Sequence, residues 1–420
     1  MPEVKPTIDP IYVGNEAISH LLAYTDQHSL NRFTIISDTH TYRALGEQVE
    51  KALKARNYDV KSVVLSGAEV IADERYVVQA LLHAQLGPTT FIAVGSGTLT
   101  DITRFSSHRS GRAFISVPTA PSVDGFTSVG APIVLSGVKT TIISQAPLAV
   151  FANIETLRSA PHRLIAAGFG DMIGKITSIA DWRVGALLWE EPFDQSIYNR
   201  SKAAIDTCVQ SAGEIGQDIE AGVRNLMDTL IESGLCMLDF GSSRPASGAE
   251  HHASHYWEMI LLQEGRPAAL HGAKVGFALI HVAAQYARLR ALSRAEMMDR
   301  LEGATLPDRD AEIATIHAGY GPLAEDVIKE HAPFLDMSAA QFEQVKQRVA
   351  SNWDALQEIA ASVPPPEQII EYLRQAGAVT DAEALGLSNE EVARGFQYGH
   401  YLRNRFTIMK LSRILDLPLT

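Results

Sequence analysis

FIAVGSGTLTDITRF (Phe91–Phe105) reads as a strand, a glycine turn and the start of a helix. Phe91–Val94 is an apolar run of strand length, and Gly95-Ser96-Gly97 then gives the backbone room for a tight strand-to-helix turn. Outward from this point the same alternation repeats. Ile11–Val13, Phe33–Ser37, Val60–Leu65 and Phe114–Val117 are β-branched or aromatic runs, while Ala17–Gln27, Thr41–Arg56 and Asp73–Gln85 carry apolar residues at helical spacing. The alternation predicts an α/β, Rossmann-like N-terminal domain with a parallel sheet covered by helices on both faces. Residues 132–151 read as a hairpin turning at Ser136-Gly137, followed by a last strand at Ala149–Ala152.

After residue 157 the character changes. Ile165–Leu188, Lys202–Ile215, Ile219–Leu238, Ala249–Leu262, Ala273–Ala291, Ala324–His331, Ala339–Ala361, Pro366–Ala376 and Asn389–Leu415 are rich in Ala, Leu, Ile and Glu and read as helices. Ser362–Pro366 (SVPPP) is a rigid break between two of them. The expected organisation is an α/β domain over 1–157 and an all-α domain over 158–420.

Composition narrows the function. The chain has 420 residues, 46% hydrophobic, and a net charge of −13, which disfavours a nucleic-acid binder or a basic membrane-surface protein. No uncharged run approaches the ~20 residues that span a bilayer. MPEVKPTIDPIYVG lacks an apolar signal-peptide core, so a cytoplasmic location is expected. Cys208 and Cys236 lie far apart with no C-x-x-C and read as buried thiols.

Chemistry concentrates in SGAEHHASHYWEMILLQEGRPAALHGAKVG (Ser247–Gly276), which holds His251, His252, His255 and His271. On a helix, His251 and His255 stand one turn apart on one face, and His271 follows a Gly-Arg-Pro turn. Imidazoles from neighbouring helices bind a borderline metal if a third ligand comes from elsewhere; the alternative is polar or capping histidines. Asp171 in GFGD is that third ligand on one reading and an N-terminal helix charge on the other. Lys175 and Ser178 lie one and two turns further along roughly the same face, suited to a phosphorylated substrate; Lys175 also reads as a solvated lysine.

The turn Gly95-Ser96-Gly97-Thr98-Leu99-Thr100-Asp101 suits a pyrophosphate at a helix N-terminus, although it lacks the GxGxxG spacing. Asp38, after the Phe33–Ser37 strand, has two readings: acceptor for an adenosine ribose, favouring NAD(H), or N-cap of the next helix.

Taken in order, GSGTLTDITRFSSHRSGRAFISVPTAPSVDGFTS (Gly95–Ser128), GFGD (Gly168–Asp171), SGAEHHASH (Ser247–His255) and LHGAKVG (Leu270–Gly276) carry a family resemblance. Over essentially its full length the chain resembles the superfamily of iron-containing alcohol dehydrogenases, glycerol dehydrogenase and dehydroquinate synthase. It looks most like the branch, its bacterial members in particular, that reduces dihydroxyacetone phosphate to sn-glycerol 1-phosphate with NAD(H) or NADP(H). The resemblance implies the dehydroquinate synthase-like fold and one divalent metal (zinc, or nickel or iron) on Asp171, His251 and His271. It puts Asp124 on the substrate hydroxyls and Gly95, Ser96, Gly97 and Asp101 at the pyrophosphate. Thr119, Ser122 and Ser128 flank the cofactor, and His255 stands by the nicotinamide and the reacting oxygen; His255 or a metal-bound water is the candidate proton donor. A homodimer or larger homo-oligomer is implied as well. Arg104 and His108 are alternative cations for a phosphate.

There are departures. Ser96 replaces the commoner middle glycine, and Gly130 and Val134 stand where glycerol dehydrogenases carry larger side chains, which argues against plain glycerol dehydrogenase. His252 competes with His251 as a ligand, and the spacing to His255 decides for His251. The rival readings are another polyol dehydrogenase, a sugar-phosphate cyclase, and a non-catalytic metabolite-binding module.

Overall fold

Six parallel strands pair in the order β1-β8-β5-β4-β2-β3. They are β1 Ile11–Gly14, β2 Arg32–Asp38, β3 Asp59–Leu65, β4 Thr90–Gly95, β5 Phe114–Pro118 and β8 Val150–Asn153. The computed structural model describes residues 7–67, 69–135, 138–267 and 269–419. The chain divides into two compact units, Met1–Met172 with Thr207–Gly241, and Ile173–Asp206 with Ser242–Thr420.

In the first unit the two-residue period of each strand builds two separate cores. Phe33, Ile35, Ile92, Val94, Ile115 and Val117 pack with Leu21, Val49 and Leu53 on one face. Ile36, Phe91, Ala93 and Phe114 pack with Tyr76, Leu99 and Ile102 on the other. The expected parallel sheet with helices on both faces is therefore what forms. From β2 the chain runs outward to β3, returns to β4 on the other side, and continues away to β5. β2 and β4 are adjacent and parallel, so Asp38 and Gly95 end neighbouring strands at the reversal point where open α/β sheets bind ligands. β6 Gly130–Leu135 and β7 Val138–Ile143 form the expected antiparallel ribbon. Its turn, expected at Ser136-Gly137, lies outside the described residues.

The helical segment differs from expectation in five places, the first being Lys202–Ile215, which falls in two helices, Gln195–Gln210 and Ala212–Ile215. Ala339–Ala361 is two helices, Ala339–Ser351 and Trp353–Ser362, broken at Asn352, whose side chain donates to the Arg348 carbonyl. Asn389–Leu415 is likewise interrupted, as helix Asn389–Tyr398, a tight turn at Gly399–Tyr401 and helix Ile408–Ile414. There the Phe406 N–H donates to Glu191 and the Ile408 N–H to Asp181, so tertiary acceptors take the place of helical ones. Arg294–Gly303 and Arg309–Tyr320 are helices that hydropathy missed, although a capping box at Ser293 and Glu296 and an N-cap at Asp308 mark their starts. Finally, Gly168–Asp171 does not open a helix: it lies inside the continuous helix His162–Trp189, so Asp171 is no N-terminal charge. Among the described residues no helix is long and apolar enough to cross a membrane. Both cysteines are buried thiols that form no disulfide among the described residues.

Candidate active site

The cofactor end lies in the first unit. Gly95 ends β4, and a Cβ there would meet Leu99 at 2.5 Å; one on Gly97 would meet Val123 at 2.9 Å. Both glycines are therefore required by packing alone. Ser96 begins helix Gly97–Arg109 and takes an extended conformation, so a side chain in the middle of the turn is accommodated. Its hydroxyl bonds the Ser122 hydroxyl, and the Thr119 N–H donates to the Gly95 carbonyl at 3.3 Å. The glycine turn and the 119–122 strand end, two parts of the cofactor signature, are thus joined. Ser128 donates to the Gly125 carbonyl at 3.3 Å.

Two residues in this region have local duties. Asp38 caps the following helix turn: its Oδ1 accepts from the backbone of His40 and Thr41, while Thr41 Oγ1 accepts from the Asp38 N–H. The capping reading is thus realised, and nothing about it blocks a ribose. Arg104 is fully buried and donates to the carbonyls of Gly125, Phe126 and Gly130 and to Asp101 at 3.0 Å. It is an internal clamp, which removes it as a phosphate cation; His108 is exposed. Burial pushes the Asp101 carboxyl up to about 7, against the pull of Arg104.

The Asp124 loop is held close to two helices by glycine. A Cβ on Gly168 would lie 1.8 Å from the Pro121 carbonyl oxygen, and one on Gly234 would lie 2.1 Å from Thr127 Oγ1 and 2.7 Å from the Asp124 carbonyl oxygen. Only glycine allows that approach, which explains the glycine of GFGD preceding Asp171. The Asp124 N–H donates to Asp171 Oδ2 at 3.0 Å, and Ser233 donates to Asp124 Oδ2 at 2.9 Å. The backbone of Asp124 is thus bonded directly to the Asp171 carboxylate, while the Asp124 carboxylate itself is held by Ser233. Asp171 is fully buried.

The histidines lie in the second unit. Helix Ala249–Gln263 carries His251 and His255, and His271 is the first residue of helix His271–Ala291. Ring centres are 6.2 Å apart for His251 and His255, and 5.3 Å apart for each of them and His271. A ring nitrogen of His251 and one of His271 come within 4.8 Å of each other. His255, Glu258 and His271 also offer ligand atoms within 4.8 Å of one another.

Glu250 is the functional residue that sequence reasoning missed. Its Oε1 lies 2.7 Å from His251 Nδ1 and accepts from the Gly248 N–H at 2.7 Å. Thr177 and Ser178 each donate to it at 2.6 Å. Burial opposes its charge, but His251 and these two hydroxyls outweigh it and hold the carboxyl down at about 2. An ionised Glu250 makes Nδ1 the protonated nitrogen of His251 and leaves Nε2 as its lone-pair donor atom. Ser178 was expected at a substrate phosphate; its hydroxyl is instead committed to this carboxylate. Lys175 is buried, not a solvated lysine. His252 is buried too, and burial together with Arg405 and Lys410 pushes it well below its ordinary value. Neither of its ring nitrogens has a partner among the described residues.

A strand–glycine-turn–helix end in the first unit and paired imidazoles in the second are features that a metal-dependent dehydrogenase would have. The pattern of the iron-containing alcohol dehydrogenase family matches residues 12–161. Solved structures agree on the fold. The iron-containing alcohol dehydrogenase of Thermotoga maritima is similar with a TM-score of 0.58 at 11% identity, covering 98% of this chain and 97% of that one. Glycerol dehydrogenase of Schizosaccharomyces pombe gives 0.55 at 15%, covering 96% and 95%. Within that class, the chain is 39% identical over 410 residues to glycerol-1-phosphate dehydrogenase [NAD(P)+] of Geobacillus stearothermophilus, covering 96% of this chain and 91% of that one. It is 46% identical over 282 residues to the enzyme of the same name from Halalkalibacterium halodurans, covering 66% and 71%. The chain belongs to the glycerol-1-phosphate dehydrogenase family, and so to the oxidoreductases.

Proposed function

We propose that this chain reduces dihydroxyacetone phosphate reversibly to sn-glycerol 1-phosphate, with NADH or NADPH as reductant and a zinc ion on Asp171, His251 and His271. The observation that carries the site is the Glu250–His251 bond, which orients one imidazole as a donor beside His271. Asp171 is assigned by helix continuity. One turn after it, Gly174 packs so tightly on the histidine helices that a Cβ would lie 2.4 Å from Val275 and 3.6 Å from Glu250. Two imidazoles and a carboxylate suit zinc, and also nickel or iron(II).

A bound divalent ion would supply Lewis acidity at the substrate carbonyl. The nicotinamide supplies the hydride, and the protein fixes the face it meets. The chain's own residues do the rest. Asp124, fixed by Ser233 and by its own N–H on Asp171, accepts the hydroxyl of the substrate's hydroxymethyl end. Lys175 holds the phosphate end. His255 holds the proton that ends on the product oxygen. Gly95-Ser96-Gly97 at the start of helix Gly97–Arg109 receives the pyrophosphate, with Thr119, Ser122 and Ser128 along its flank. Asp38 accepts the ribose hydroxyls beside its capping role. The expected assembly is a homodimer.

The test measures NADH consumption with dihydroxyacetone phosphate, glycerol and a heptulosonate phosphate, alongside elemental analysis of the purified protein. The expected result is turnover of the first alone with one metal per chain. Preference for glycerol, or a cyclised product with no net NADH change, refutes the assignment. His271→Ala is expected to lose both the metal and turnover.

A further inference from the structure

We propose that a cavity inside the second unit, bounded by helices Arg294–Gly303, Arg309–Tyr320, Ala324–Leu335 and Ile408–Ile414, binds a small organic anion: a carboxylate or phosphate head on an apolar body. Its volume is about 410 Å³, within the range of ligand pockets. No metal, cofactor or substrate residue named above lines it.

The head group is set by charge. In a chain of net charge −13, this cavity is lined by four cations, Arg300, Arg309, Lys410 and Arg413, against the carboxylates of Glu312 and Asp416. Three of the cations are already occupied. Arg413 grips Glu312 at 2.6 and 3.0 Å, Arg309 meets Asp336 at 3.0 Å, and Arg300 donates to the Leu415 and Asp416 carbonyls. Lys410 differs. Its ammonium donates to the His400 carbonyl at 2.6 Å and sits 4.3 Å from the Phe334 ring centre, yet among the described residues it makes no ion pair. A buried ammonium with no carboxylate in direct contact is costly, and an anion entering the cavity would supply a contact that Glu191, Glu312 and Asp181 make only at longer range. Burial and neighbouring Arg413 push Lys410 down to about 7, against the weaker pull of Glu191, Glu312 and Asp181. His331, also lining the cavity and 3% exposed, has an Nδ1 with no hydrogen-bond partner among the described residues. The body is set by the walls, where Phe334, Phe342, Phe406 and Leu335 offer aromatic and aliphatic surface.

The probe is 8-anilinonaphthalene-1-sulfonate, titrated by fluorescence into the metal-loaded full chain with NADH held at saturation. Octanoate and inorganic phosphate serve as separate competitors. One saturable class of probe displaced by octanoate is expected, with phosphate alone at equal concentration failing to displace it. Lys410→Met is expected to weaken the probe about tenfold or more, and Lys410→Arg to restore it to within about threefold. Ala304→Trp, at a lining position whose extended backbone accepts any side chain, fills part of the cavity while leaving the Lys410 side chain unchanged and is expected to weaken it similarly. Undiminished binding by both Lys410→Met and Ala304→Trp overturns the proposal, as does equal displacement by phosphate. Octanoate binding that disappears once NADH is saturating would place the probe in the cofactor site and overturn it as well.

Discussion

At the scale of single residues, Glu250 shows both what the site depends on and what sequence reading lacked. Neighbouring residues on a helix point about 100° apart, so a Glu directly before a ligand His is not ordinarily its partner. Here the pair stands in the first turn, where Glu250 also takes the Gly248 N–H and two hydroxyls from helix His162–Trp189, and that turns its carboxylate onto Nδ1. His251, His255 and His271 were legible because their residue type and spacing are local. Glu250 and Thr177 were not, because their role exists only once two helices are packed. Glu250→Gln keeps the shape but no longer fixes Nδ1–H, so metal affinity should fall about 10–100-fold, as measured by competition with a chromophoric chelator. Unchanged affinity would mean that His251 is oriented by something else. Asp38 invites a second test. Its carboxylate at the end of β2 repels a 2′-phosphate, so Asp38→Ser, which keeps an N-cap, should raise the NADPH-to-NADH ratio of kcat/KM about tenfold or more. A ratio that stays put would leave Asp38 a cap and nothing else.

At the scale of elements, one carboxylate organises four helices of the second unit. Asp181, on His162–Trp189, accepts from the Ala249 N–H at 2.8 Å, the Ile408 N–H at 2.7 Å and the Tyr286 hydroxyl at 2.6 Å. It thereby caps the starts of two helices and ties a third to its own. This explains why Asn389–Leu415 could not be read as interrupted: the apolar pattern runs on, and the acceptors that stop the helix lie some two hundred residues away. The same limit applied to GFGD, whose glycines look like helix breakers until Pro121 is seen against Gly168. The sheet was legible because each strand announces itself locally. Burial, with Glu250 adding to it, raises Asp181 from 3.8 to about 7. Between those values the folded chain holds a proton that the unfolded chain releases. This contribution to stability is therefore complete below about pH 4 and is lost as pH rises through 7. Asp181→Asn removes the titration, so the gap in urea midpoint between wild type and variant should shrink from pH 5 to pH 8. A gap constant across that range would show that Asp181 is ionised throughout.

At the scale of the whole molecule, charge and substrate are at odds. The chain carries −13, and the proposed substrate is an anion, as is the proposed reductant. A field of that sign acts over a Debye length, roughly 30 Å at 0.01 M salt and about 8 Å at 0.15 M. Local cations such as Lys175 act over the last few ångströms, where salt screens them less because they are buried. The two effects therefore separate by ionic strength. With NADH saturating, raising KCl from 10 to 150 mM should increase kcat/KM for dihydroxyacetone phosphate about two- to threefold, by relieving long-range repulsion. Unphosphorylated dihydroxyacetone feels no such field, and its kcat/KM should not move. Lys175→Ala should raise KM for the phosphorylated substrate alone and leave the salt trend in place, since it removes a contact and not the overall charge. A fall in kcat/KM with salt would instead mean that the approach to the site is locally basic enough to reverse the sign set by the whole chain.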